Sequence, residues 1–265
     1  MTTLSVSPGE ALAQMRAARP LVHNITNYVV MGWTANVLLA AGAAPAMIHA
    51  EEEAGEFAAI ASALVINIGT ISQPWLNGML AATSAANAVG KPWILDPVGG
   101  GATAFRREAV ATLLLERPAV VRGNASEILA AAGSAATGRG VDAADEADAA
   151  VEACGRLAVR SGAAVVASGA VDVVSDGTRL VRIANGTPML AGVTGTGCAA
   201  TALIGAFLGA GLPAFEAATA GMVLLGVAGE IAADGASGPG SFAVRLLDTL
   251  AAVTPADLEA RARVS

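Results

Sequence analysis

Two rhythms alternate along this 265-residue chain. Short apolar runs rich in Val and Ile lie at 21–26, 45–50, 63–69, 92–98, 119–124 and 163–169. Apolar character that continues over five or six residues marks a strand covered on both faces. Between these runs, at 51–63, 75–90 and 105–116, apolar residues recur three and four apart, the spacing of a helix with one buried face. Strand then helix, repeated, predicts a mostly parallel sheet flanked by helices on both faces. The Ala-rich stretch 143–155 fits an amphipathic surface helix. After 169 the rhythm changes. Residues 171–186 read as two short strands around the turn Asp176-Gly177, a hairpin at the sheet's edge, and nearly everything from Cys198 onward reads as helix.

Nothing in this pattern marks a second domain, so a single α/β domain spanning 1–265 is expected. The chain is 54% hydrophobic but only 3% aromatic, so its core is built from Ala, Val, Leu and Ile; the 31 glycines imply close packing of helices and strands. No charged residue occurs between Arg182 and Glu216, which raises the question of a membrane span. Gly192, Gly195, Gly197, Gly205, Gly209, Gly211 and Pro213 interrupt that run and no basic cluster flanks it, which argues against one. The first twenty residues lack a basic segment followed by an apolar one, so no secretory signal is read and a cytoplasmic location is expected.

A formal charge of −7 without any basic run argues against nucleic acid as a partner. Cys154 and Cys198 are too few for a disulfide framework, and with only His23 and His49 they make no zinc-like spacing. Both histidines read as packed or surface residues. The sole lysine, Lys91, is followed by Pro92, so a Walker-type phosphate loop is closed to this chain.

Polar residues nevertheless gather where the predicted strands end: Asn24, Asp96, Arg122 with Asn124, and Ser168. In open α/β sheets the ligand crevice lies at those ends. Asp96, before Pro97, reads either as a cap or as a carboxylate facing Mg²⁺ or phosphate. Glu127 reads either as the far half of a helix-start box beginning at Asn124 or as a second such carboxylate. Arg122 can neutralise phosphate charge with its planar fork. The bend Gly195-Thr196-Gly197 runs straight into a helix, whose unpaired N–H groups and positive dipole end would face an anion. Cys198 stands where that bend meets the helix. A dipole there favours the thiolate.

The segments 22–53, 64–72, 94–106, 120–128 and 193–200, the last reading VTGTGCAA, run in order and cover most of the chain. In them the chain resembles the hydroxyethylthiazole kinase family of the ribokinase-like superfamily. The resemblance implies a three-layer sandwich and transfer of the ATP γ-phosphoryl group, with Mg²⁺, to the hydroxyl of 4-methyl-5-(2-hydroxyethyl)thiazole in thiamine salvage. It implies substrate-binding roles for Asn24, Met47 and Gly195, ATP-binding roles for Arg122, Ser168 and Gly197, and metal-side roles for Asp96 and Glu127. It also implies that Cys198 accepts, or helps position, the substrate hydroxyl proton, and that the protein is a homotrimer with sites between subunits. Without it, Met47 reads as core filler. Two departures stand out. Ser168-Gly169-Ala170 replaces the family's Thr-Gly-Glu, which removes a carboxylate, and Gly100 replaces an alanine. A different small-alcohol kinase of the same superfamily, a ligand-binding protein without turnover, and a cysteine hydrolase needing a histidine beside Cys198 are the rival readings.

Overall fold

The computed structural model describes residues 4–133 and 143–265. Helix α1 (Pro8–Ala18) leads into strand β1 (Leu21–Ile25), followed by α2 (Met31–Ala41), β2 (Ala44–Ala46), α3 (Glu51–Ile60), β3 (Ala63–Asn67), α4 (Gln73–Ala88), β4 (Trp93–Asp96), α5 (Ala104–Leu115) and β5 (Val120–Asn124). Then come α6 (Ala125–Ala131), α7 (Ala143–Ser161), β6 (Ala164–Ser168), β7 (Asp172–Ser175) and β8 (Leu180–Ile183). A short 3-10 turn, Pro188–Gly192, precedes α8 (Thr196–Gly209), α9 (Ala214–Ala233), α10 (Pro239–Ala252) and α11 (Pro255–Arg261). The eight strands form one sheet in the order β2-β1-β3-β4-β5-β6-β7-β8. All pairs up to β5–β6 are parallel, and β7 and β8 close the sheet antiparallel.

Apart from the short edge strand β2, the strands divide their apolar side chains between the two faces. In β3, Ala63 and Val65 join the core layer of α1, α2, α8, α9 and α10, while Leu64 and Ile66 join that of α3 to α7. In β6, Ala164 and Val166 face the first layer, Val165 and Ala167 the second. Because β1 continues to β2 on one side while β3 pairs on its other side, the topology reverses between β1 and β3, and such a reversal opens a crevice at the strands' C-terminal ends.

Most expected elements are present, with shorter strands. The run 45–50 is a strand only over Ala44–Ala46, because the chain leaves β1 after His23↔Ala46 and a side chain takes over the pairing. His23 Nε2 lies 2.7 Å from the Ile48 carbonyl. The hairpin turn spans 176–179 rather than two residues, since the Asp176 carboxylate gathers the N–H groups of Thr178 and Arg179 at 2.9 and 2.7 Å. The 143–155 stretch lies in α7, and the charge-free run becomes the 3-10 turn and α8, which is buried along nearly its whole length. Helix α9 is long and apolar enough to cross a membrane, yet 83% of that stretch is buried inside the fold.

Candidate active site

The polar residues that end β3, β4, β5 and β6 meet the start of α8. Asp96, the last residue of β4, is fully buried: its Oδ2 accepts from Asn67 Nδ2 at 2.9 Å and from the Thr201 hydroxyl at 2.7 Å. Its Oδ1 is buried without a partner, and Arg122 Nη1 is 4.0 Å from Oδ2. Burial raises Asp96 to about 6; the Arg122 charge and the Thr201 hydrogen bond oppose that rise, and Glu127 adds to it.

Arg122, on β5, donates from Nη2 to Ser168 Oγ at 2.7 Å, and Ser168 donates in turn to the Gly123 carbonyl at 3.2 Å. Gly197 brings the backbone close to the guanidinium, since a Cβ there would lie 2.8 Å from Arg122 Nη1 and displace it. At 195 the backbone itself requires glycine: φ is +88°, and a Cβ would meet Val30 Cγ1 at 2.6 Å. The helix N-terminus and the guanidinium thus converge on one spot, where both favour an anion. A cavity of about 610 Å³ opens beside it, bounded by Arg122, Ser168 and Asp172, the loop from Asn185, and Met222 of α9.

Cys198, half-buried in the first turn of α8, receives Asn27 Nδ2 at 3.5 Å. Asn27 also donates to Asn67 Oδ1 at 2.9 Å, so amides connect the thiol to Asp96. The expected bias toward thiolate at Cys198 is not met. Burial first, and then the Asp96 charge, push the thiol up to about 11; the hydrogen bonds from Asn67 and Asn27 and the Arg122 charge offset only part of this. The helix dipole acts on a group already withdrawn from water beside a carboxylate, and Cys198 is a neutral thiol at pH 7.

Glu127 does cap its helix. Its Oε2 accepts from the Asn124 N–H at 2.8 Å, its N–H donates to Asn124 Oδ1 at 2.9 Å, and its Oε1 accepts from the Gly99 N–H at 2.9 Å. Each carboxylate oxygen retains further acceptor capacity, and the charge of Glu127 is felt at Asp96. Asn24 donates to the Val22 carbonyl at 2.9 Å and leaves Oδ1 buried without a partner. Met47 is half-buried just past the end of β2 rather than packed in the core. Among the described residues no side-chain hydrogen bond joins Asn24 or Met47 to Cys198. His23 packs edge-on against Phe57 and His49 stacks on Trp75, so the hydrogen-bond partner of the thiol is an amide and not an imidazole.

Asn27, Asn67, Thr201 and Asp172 belong to this end of the sheet without having been singled out in the sequence. Asn67 ends the apolar run ALVIN as Asp96 ends WILD, so the same signal could have found it. Asp172 is buried two residues after Ala170 and accepts from the Gly169 N–H at 2.9 Å, so a carboxylate is present in the turn where the family's glutamate is missing.

An eight-stranded sheet between helical layers, with a glycine bend and a helix N-terminus set against an arginine and a buried aspartate, defines a ribokinase-like α/β kinase. A crystal structure of a ribokinase-like superfamily protein from Enterococcus faecalis V583 shares this fold, with TM-score 0.67 over 96% of this chain and 100% of that one at 12% identity. The hydroxyethylthiazole kinase family matches residues 12–256, and the chain belongs to that family. It is 57% identical to the hydroxyethylthiazole kinase of Rhizobium etli strain CIAT 652 over 96% of this chain and 99% of the relative. The structure of the hydroxyethylthiazole kinase protein from Pyrococcus horikoshii OT3 superposes with TM-score 0.90 at 43% identity, covering 97% of this chain and 98% of that one.

Proposed function

We propose that this enzyme transfers the γ-phosphoryl group of ATP to the hydroxyl of 4-methyl-5-(2-hydroxyethyl)thiazole, serving thiamine salvage in the cytoplasm. The observation that carries the reading is the convergence of Arg122, Ser168, Thr196 and Gly197 on one cavity of about 610 Å³, with Cys198 next in the chain after Gly197. The nucleotide occupies that cavity, with its phosphates turned toward Arg122, Ser168 and the N–H groups at the start of α8. The alcohol oxygen forms its bond to the γ-phosphorus as the bond to the bridging oxygen of ADP breaks, and the hydroxyl proton is released to solvent with the products. That transfer passes through a loose transition state in which positioning and charge stabilisation dominate, so a neutral thiol at Cys198 suffices to orient the hydroxyl.

The residues fit Mg²⁺. Asp96 Oδ1 is buried without a partner and Glu127 brings a second carboxylate charge to bear on it, so Asp96 would hold the ion with Glu127 contributing through water. When bound, the ion neutralises phosphate charge. A homotrimer with sites shared between subunits is part of the same proposal. Its support is the half-exposed Met47 beyond the edge strand and the exposed Tyr28 and Val29, which adjoin Asn27, the partner of Cys198.

The test is ADP release from Mg·ATP with the thiazole alcohol, against a pyrimidine alcohol and ribose. Release that requires the thiazole is expected. Equal release with another acceptor would point to a different small-alcohol kinase, and thiazole binding without any release would point to a protein that has lost turnover.

A further inference from the structure

One wall of the nucleotide cavity is a loop, Asn185 to Ala191, that is held in place from behind by the end of the chain. Asn185 is buried, and its amide is engaged by the segment 261–263: Oδ1 accepts from the Arg263 N–H at 2.7 Å, and Nδ2 donates to the Arg261 carbonyl at 2.9 Å. Glu230, on α9, takes the Gly186 N–H on Oε1 at 2.7 Å and accepts from Asn185 Nδ2 at 3.2 Å. Arg263 closes the circle by donating to Glu230 Oε1 at 2.5 Å and to the Ala184 carbonyl at 2.6 Å. Beyond it the chain adds a bridge to the edge of β8, with Arg182 and Ser265 exchanging both backbone hydrogen bonds at 2.8 and 2.9 Å. Gly226, one turn before Glu230, lets α9 approach so closely that a Cβ there would lie 2.7 Å from Asn185 Cβ.

We propose that Asn185 and the segment Arg261–Ser265 are positioning elements for the nucleotide, setting the cavity wall that receives it while touching neither the acceptor nor the reacting atoms. The inference rests on the assignment of this cavity to ATP. The strap meets the far side of the wall, so loosening it widens the nucleotide cavity and leaves Cys198, Asp96 and the amides between them as they are. Binding loss is then confined to one substrate, because the ordering of the wall must be supplied by the ligand itself.

Arg263→Ala is the first variant, since its side chain is half-exposed and no core contact is lost; Arg263→Lys keeps a cation beside Glu230, and Asn185→Ala removes the junction itself. ADP affinity by calorimetry and KM for ATP and for the thiazole are measured on each, with thermal melting as the check on folding. Arg263→Ala is expected to weaken ADP and raise KM for ATP by about three- to tenfold, Asn185→Ala by more, and Arg263→Lys by less, with kcat and the thiazole KM within about twofold of wild type. Unchanged ADP affinity in variants that fold, or parallel loss of both substrates, would overturn the strap while leaving the cavity's assignment intact. Failure of the wild-type enzyme to bind ADP would overturn the assignment and the strap with it.

Discussion

At the scale of single residues the site is governed by burial. Cys198 stands at a helix N-terminus, which alone would lower its pKa, but its surroundings push it up to about 11. The thiolate fraction at pH 7 is then on the order of one in 10⁴, and alkylation by iodoacetamide should be slow at neutral pH and rise about tenfold per pH unit toward pH 10. A rate that levels off by pH 8, read peptide by peptide to separate Cys198 from buried Cys154, would restore the proton-accepting role. Cys198→Ala should lower kcat by about ten- to a hundredfold, since positioning is lost but the anion site survives; an unchanged maximal rate would remove the thiol from the mechanism. Asp172 shows the same force on an acid. Burial raises it from the ordinary 3.8 to about 6, against the Gly169 N–H and the Arg122 charge. Between those values the folded chain binds more protons than the unfolded one, so Asp172 lowers stability as pH rises from about 4 to about 6, and the cost is complete above that. Asp172→Asn can still accept from Gly169, and it should gain stability relative to wild type over that window, reaching on the order of 3 kcal/mol at pH 7. Urea midpoints give the comparison, and a gap independent of pH would contradict it.

At the scale of elements, α8 decides the architecture of the site. It is apolar on all sides because it lies between the sheet and the outer helices, and it carries Cys198 and Thr201 on the turns that meet the strand ends. Its depth depends on Gly205, where a Cβ would stand 2.6 Å from Val65 Cγ2. Gly205→Ala gains helix propensity but forces α8 off β3, and should cost about 1–3 kcal/mol in urea denaturation with an unchanged slope. A neutral or stabilising effect would mean that the helix can shift without penalty. The alternation of strands and helices was legible because strand periodicity is local. The truncated β2 and the longer hairpin turn were not, since a side chain from β1 in the first case, and in the second the particular N–H groups that the Asp176 carboxylate gathers, determine where pairing stops.

At the scale of the whole molecule, the sheet places its functional end beside an open edge. Strand β2 has one neighbour, β1, Met47 follows it half-exposed, and Tyr28 and Val29 are 64% and 67% exposed on the adjoining loop. Assembly as a homotrimer predicts a mass by sedimentation of about three times the 26.0 kDa of one chain, with Val29→Asp shifting the distribution toward smaller species. A monomer at micromolar concentration would return the whole site to one chain.

The sequence by itself determined the α/β class, the parallel sheet with its antiparallel edge, the family, and the residues at which Asp96, Arg122, Ser168 and the Gly195–Gly197 bend stand, because periodicity, turn chemistry and motif spacing act over a few neighbours. Only the tertiary structure decided what those groups are to one another. Asn27, just past β1, and Asn67, at the end of β3, lie 40 positions apart and reach the Cys198 thiol only when those elements and α8 come together, and the protonation of Cys198 and Asp96 follows from how much water that assembly removes. Burial and charge proximity are properties of the packed chain, and no local pattern encodes them.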